Sequence, residues 1–233
     1  MIPYLSLDDI MTPEILHEIY HSKQFDYYWS DDFSPQFFIE LAKRGFITIA
    51  ICDDNQDFLL PEMQKAYALL EHKHLHISNK VKALLKQKRY QLSMNTHLDE
   101  IVQGIQHAYD DCWIHHSYFN LLKDLSREEN KEFELLSSAL IDTFTGELVA
   151  GEIGYIVHGH YVGLTKFSLK SGQYKNLGTL QRVLLTNYLS FERGIYLSNL
   201  GQPQMAYKLA LGAKVYPRHA FLRKCGFFAL LKD

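Results

Sequence analysis

The stretch 148-LVAGEIGYIVHGHYVGLTKFS-168 decides the class of fold. Two β-like runs flank His158-Gly159, a dipeptide suited to a tight hairpin turn. Val149, Ile153, Ile156 and Val157 supply apolar bulk, while Gly151, Gly154 and Gly163 leave the backbone bare. Among them stands Glu152, a carboxylate that is costly to bury without a partner. Either it faces water from a one-sided sheet, or it lies in a pocket beside something positive.

Working outward, EFELLSSALID (132–142) and the turn TFTGE place a third strand before the hairpin. After it, 175-KNLGTLQRVLLTNYLSFERG-194 reads as a long helix. IYLSNL, a helix near QPQMAYKLALG and a last β segment complete the chain. Upstream, 34-SPQFFIELAKRG-45 is a punctuated helix: Ser34 caps, Pro35 opens and Gly45 ends it. FITIAIC follows as a strand, and 65-KAYALLEHKHLH-76 as another. A lysine-rich helix, 79-NKVKALLKQKR-89, is capped by Ser78 and leads into the strand YQLSMN. In 97-HLDEIVQGIQHAYDD-111, Thr96 and Asp99 have capping-box spacing, and a further helix covers roughly 115–127. Strands in one block with helices on either side make an α+β class. The expected organisation is a small N-terminal α/β domain over 1–72 and a larger domain over 73–233, its mostly antiparallel central sheet flanked by helices.

The length of 233 residues, with 47% hydrophobic and 22% charged side chains, suits a globular chain of this kind. No apolar run approaches the roughly 20 residues of a membrane span, and MIPYLSLDDIM has no basic, signal-like start. Cys52, Cys112 and Cys225 are odd in number and far apart, which argues for a reducing cytoplasm rather than a disulfide framework. The net charge of −3 hides a split. Residues 1–62 carry twelve acidic and three basic side chains; residues 63–233 carry fifteen and twenty-one. The basic part points to a polyanionic partner.

Three histidines in 72-HKHLH-76 would share one face of a strand, but no Cys or carboxylate joins them at ligand spacing, so no metal is expected. Nucleophile elbow, Walker loop and dinucleotide fingerprint are all missing from the sequence. In 174-YKNLGTLQRVLL-185 a turn opens a helix, whose free N–H groups suit a phosphate, with Lys175 adding a cation. That turn resembles the pyrophosphate loop of GNAT acyltransferases.

Taken together, 33-FSPQFFIELAKRGF-46, 75-LHISNKVKALLKQKRYQLSMN-95, Trp113-Ile114, 147-ELVAGEIGYIVHGHYVGLTKFS-168 and 211-LGAKVYPR-218 resemble the leucyl/phenylalanyl-tRNA–protein transferase family, over roughly residues 27 to 222. The resemblance implies a GNAT-like C-terminal domain that uses no acyl-CoA and no other cofactor. It implies that an amino acid passes from an aminoacyl-tRNA to the N-terminal amine of a protein or peptide, marking it for N-degron turnover, and that the enzyme is a cytoplasmic monomer. By the same resemblance Gln202 is the catalytic residue. Trp113, Glu152, Ile153, Tyr161 and Leu164 belong to the donor's aminoacyl and adenosine pocket, Trp113 stacking on the base. Lys80, Lys82, Lys86, Lys166 and Lys175 take tRNA phosphates, and Lys88 is a further candidate. The chain departs from the pattern where the family's Asp falls on Leu200 and an acid of its G-E-S-x-F-S stretch falls on Leu164. At Glu152 typical members are apolar, so a carboxylate there is expected to read a different charge: an arginyl or lysyl donor, or an amino group. Two alternatives stand beside this: a CoA-dependent N-acyltransferase, and a tRNA-binding relative with reduced catalysis.

Overall fold

A computed structural model describes residues 2–170 and 174–231. Near the N-terminus Ser6 caps α1 (Leu7–Met11), and the Asp9 carboxylate returns to the Ser6 N–H. After α2 (Pro13–His21), the Ser34 hydroxyl accepts from the Phe37 N–H at 3.2 Å and Pro35 opens α3 (Pro35–Lys43), as their sequence positions require. Gly45 leaves that helix at φ 84°, a left-handed conformation that favours glycine. An antiparallel pair, β1 (Ile47–Asp53) and β2 (Gln56–Glu62), closes the N-terminal module.

The remaining strands form one seven-stranded sheet. In chain order they are β3 (Ala66–Glu71), β4 (Tyr90–Met94), β5 (Phe133–Asp142), β6 (Leu148–Val157), β7 (His160–Ser168), β8 (Leu197–Asn199) and β9 (Lys214–Pro217). Across the sheet the order is β4-β5-β6-β7-β8-β3-β9. Every neighbouring pair is antiparallel except β7 and β8. The β6–β7 hairpin turns at His158 and Gly159 with φ 48° and 70°, the primed geometry that matches strand twist. The helices α4 (Asn79–Gln87) and α7 (Leu177–Phe191) cover one face. On the other lie α5 (Leu98–Ala108), α6 (His116–Leu125) and the N-terminal module. The short helices α8 (Ala206–Ala210) and α9 (Arg218–Lys224) flank β9. The α+β class read from the sequence is what the chain adopts.

The expected N-terminal module over 1–72 includes β3 (Ala66–Glu71). That strand hydrogen-bonds between β8 and β9 inside the large sheet. One apolar core joins Leu5, Phe38 and Phe46 to Ile153, Tyr155 and Phe227. Polar clamps reinforce it: the Tyr155 hydroxyl donates to the Phe46 carbonyl at 3.0 Å, and the Tyr118 hydroxyl to the Thr48 carbonyl at 2.7 Å. Buried Arg218, the arginine of the LGAKVYPR ending, donates to the Ser22 carbonyl and the Asp26 carboxylate, both at 2.6 Å. That ending therefore staples the basic C-terminal part onto the acidic N-terminal one.

Two local expectations fail. HKHLH does not continue β3; residues 72–74 form a 3-10 turn, so the three histidines do not share a strand face. Thr96 does not cap α5, because its hydroxyl bonds Ser93 at 2.7 Å and His97 takes the cap position. Among the described residues no helix is long and apolar enough to cross a membrane.

Candidate active site

The site is opened by the sheet itself. The parallel strands β7 and β8 pair only through Tyr161↔Ser198 and Val162↔Asn199. Beyond those two pairs they diverge, and a cavity of about 300 Å³ lies between them. From β7 its walls take Gly163, Leu164, Thr165 and Lys166; from the chain after β8 they take Leu200, Met205, Tyr207 and Lys208. Tyr109, Cys112 and Trp113 approach from the loop between α5 and α6. The register of β6 against β7 shifts between Ile153 and Gly154, leaving Leu164 as an extra residue in β7. This bulge sets Gly163 and Lys166, three positions apart, on the same face of the strand.

On that face Glu152 meets its positive partner. Glu152 is 1% exposed and Arg182, from α7, is 3% exposed. The Arg182 Nη2 donates to Glu152 Oε1, which also accepts from the Tyr161 hydroxyl at 2.9 Å. The Arg182 guanidinium lies 5.5 Å from the centre of the Tyr161 ring. Gly163 makes this possible: a Cβ there would come within 2.9 Å of Glu152 Oε1 and 3.1 Å of Arg182 Nη2. Neither solvent nor a bound cation is needed to explain the carboxylate; α7 supplies the counter-charge. Burying two ions is tolerated because each compensates the other. Glu152 Oε2 and Arg182 Nε and Nη1 nevertheless have no hydrogen-bond partner among the described residues.

Two lysines complete the wall. Lys166 lies opposite Glu152 in the ladder, and its ammonium sits 4.1 Å from the centre of the Tyr207 ring. Burial pulls Lys166 down to about 8, with Arg182 and Lys208 pushing the same way and Glu152 opposing. Buried Lys208 is likewise lowered to about 8, by burial first and then by Arg182. Its ammonium donates to the Gln202 carbonyl at 2.6 Å. The Gln202 side-chain amide donates to Glu62 and, at 3.1 Å, to the Tyr27 hydroxyl. Behind the pair, His72 bridges the hydroxyls of Ser190 and Ser198 at 2.7 and 2.8 Å. Burial, then the nearby Arg182 charge, lowers His72 to about 4, so its imidazole is neutral at pH 7.

The cavity thus unites Trp113, Glu152, Leu164 and Lys166 from the residues singled out in the sequence, and adds Leu200. Tyr161 touches it through the Glu152 bond. Ile153 does not belong: it is fully buried in the core on the opposite face of the sheet. Gln202 stands behind Lys208, its amide committed to the N-terminal module. Lys80, Lys82 and Lys86 are exposed on α4, Lys88 at its C-cap and Lys175 just ahead of α7, outside the cavity lining. α4 packs on the N-terminal part of α7 through Val81, Leu177 and Leu180, so these lysines lie on the helical layer rather than in the cleft. The expected phosphate turn, Lys175–Gly178, leads into α7 through Asn176, whose backbone is left-handed at φ 66°. Arg182, Lys208 and Tyr207 escaped the sequence reading. A signal existed for the first, since Arg182 is the single charged residue in the fifteen-residue helix Leu177–Phe191. Among the described residues no group of three or more His, Cys, Asp or Glu is placed to hold a metal.

A comparison with protein families matches residues 69–226 to the leucyl/phenylalanyl-tRNA protein transferases. The chain belongs to that family. It is therefore a transferase of the acyltransferase class, and the match covers the large sheet from Leu69 onward, the cavity and every cavity-lining residue named above. No curated protein matches the sequence. Among solved structures it is similar to L-PGS from Bacillus licheniformis, with 12% identity and a TM-score of 0.47, covering 94% of this chain and 77% of that one. It is also similar to a GCN5-related N-acetyltransferase from Kribbella flavida (13% identity, TM-score 0.42, 93% and 74% covered). A third is the C-terminal domain (DUF2156) of a protein assigned as a lysylphosphatidylglycerol synthetase from Agrobacterium fabrum. There identity is 13% and the TM-score 0.45; 79% of this chain is covered, and the chain spans 63% of the length of that structure. Likeness at this level says nothing of substrate, which rests on the cavity's own residues.

The buried pair makes a direct prediction for this transferase. Arg182→Met leaves Glu152 buried and uncompensated, and urea unfolding should show a loss of about 3–5 kcal/mol. In Glu152→Met/Arg182→Met the ions give way to apolar groups of similar length, and the unfolding midpoint should return to near the parent value. A second prediction concerns pH. With folded values near 8 for Lys166 and Lys208 against about 10.4 unfolded, the unfolded chain holds more protons between those limits. Stability should therefore rise with pH from about 8 to 10 relative to a Lys166→Met/Lys208→Met variant, with both lysines contributing to the slope.

Proposed function

We propose that this transferase takes an amino acid from the 3′ end of an aminoacyl-tRNA and joins it to the N-terminal amine of a protein or peptide. One observation carries this: the split between β7 and β8 forms a cationic cavity with an aromatic rim, built within the matched family segment. Half-buried Trp113, held edge-on against Tyr118 at 4.9 Å between centroids, offers a ring on which the terminal adenine can stack. Lys80, Lys82, Lys86 and Lys175, on the helical layer, are placed to neutralise phosphates further along the acceptor stem.

The chemistry asks little of the protein. The ester is already activated, so transfer needs a neutral amine held against the carbonyl and a positive group beside the oxygen that gains charge. Lys208, anchored on the Gln202 carbonyl, and Lys166 supply that positive charge. Gln202 acts here as a positioning residue, fixing Lys208 from behind. The amine attacks the ester carbon, the tetrahedral oxyanion rests against the lysines, and the 3′ oxygen of the adenosine leaves with the amine's proton. Leu164 and Leu200, where acids were expected from the family pattern, shield the ester from water.

Purified protein with total charged tRNA and a panel of peptides, followed by mass spectrometry of their N-termini, should show addition of one amino-acid residue. Transfer from acetyl-CoA instead, or none at all, overturns the proposal. Trp113→Ala should weaken aminoacyl-tRNA binding about tenfold with folding intact. The pH profile of kcat/KM should be bell-shaped with a maximum near 8. Its acid limb is the acceptor α-amine, with a value of about 8, and its basic limb is loss of the lysine protons. Lys208→Met should lower the rate about 100-fold and flatten the basic limb.

A further inference from the structure

Resting on that function, we infer that the Glu152–Arg182 floor selects a donor whose side chain ends in a carboxylate, an aspartyl or glutamyl group, over leucyl, phenylalanyl and cationic donors. The first support is unmet hydrogen bonding. Among the described residues, Arg182 Nε and Nη1 and Glu152 Oε2, buried at the cavity floor, have no hydrogen-bond partner. An apolar side chain laid on this floor would leave the three atoms with nothing to bond. A carboxylate accepts a charge-assisted hydrogen bond from one of the two open guanidinium donors, which an apolar group cannot do.

The second support is charge. Arg182, Lys166 and Lys208 line the cavity against Glu152, while Asp111 is exposed at the mouth. Glu152 is already bonded to Arg182 and Tyr161, so the site holds an excess of positive charge. A lysyl or arginyl donor would add another cation to it; the carboxylate of Glu152 is spent on α7. An anionic head removes the excess, and the apolar walls of Leu164, Leu200 and Met205 cover its methylene stem. The expectation that Glu152 itself reads a cationic donor is replaced by its opposite in sign.

The test uses stable donor mimics, 3′-aminoacylamino-adenosines bearing glutamyl, aspartyl, glutaminyl, leucyl, phenylalanyl or arginyl groups, titrated into the full-length protein by calorimetry. The glutamyl or aspartyl mimic should bind at least tenfold more tightly than the leucyl or arginyl mimic, with proton uptake above pH 8 as the lysines are recharged. Glu152→Met/Arg182→Met, whose apolar floor removes the open valences, should reverse the order and favour the leucyl mimic. Equal or tighter leucyl binding to the parent overturns the inference while leaving the aminoacyl-tRNA function standing. If no mimic binds, the donor class falls, and this inference falls with it. A glutaminyl mimic matching the acidic ones would show that hydrogen bonding without charge sets the choice, and would overturn the claim for a carboxylate.

Discussion

Everything at this site follows from one buried ion pair placed where a sheet comes apart. Arg182 reaches up from α7 to Glu152 on β6, and the absence of a side chain at Gly163 leaves the space in which they meet. Two charges out of water need one another; neither residue can change alone without stranding its partner. The pair fixes α7 beneath the hairpin just where β7 and β8 stop pairing. It also decides the character of the cavity, since its counter-charge is internal and, among the described residues, no carboxylate forms an ion pair with Lys166 or Lys208.

The second constraint is the bulge at Leu164. A regular strand would send Gly163 and Lys166 to opposite faces of the sheet. With one extra residue they share a face, and Lys166 falls opposite Glu152. From the other side, Lys208 is held by the Gln202 carbonyl, and the Gln202 amide by Glu62 and Tyr27. The acidic N-terminal module thus does more than cover the core: its Glu62 anchors the backbone from which Lys208 is positioned.

Much of the fold was legible because it is written in local chemistry. The strand periodicity of 132–168, the Ser34 and Ser78 caps, and the long helix after the hairpin all follow from neighbouring residues. Non-local pairing was not legible. That β3 inserts between β8 and β9 depends on partners more than a hundred residues away. Glu152 announced itself as an anomaly in an apolar run, but its partner is named only when α7 is seen crossing the hairpin. Ile153 and Glu152 are adjacent in sequence and on opposite faces in space, so a pocket assigned to both could hold only one. Lys208 lies in a five-residue helix whose sequence gives no hint of burial.

The measurement closest to the central claim is a crystal structure of the protein with a 3′-aminoacylamino-adenosine. The account predicts the adenine against Trp113, the aminoacyl carbonyl within hydrogen-bond reach of Lys166 or Lys208, and the side chain on the Glu152–Arg182 floor. Adenosine bound elsewhere, with the cleft between β7 and β8 occupied by CoA or by nothing, would contradict it.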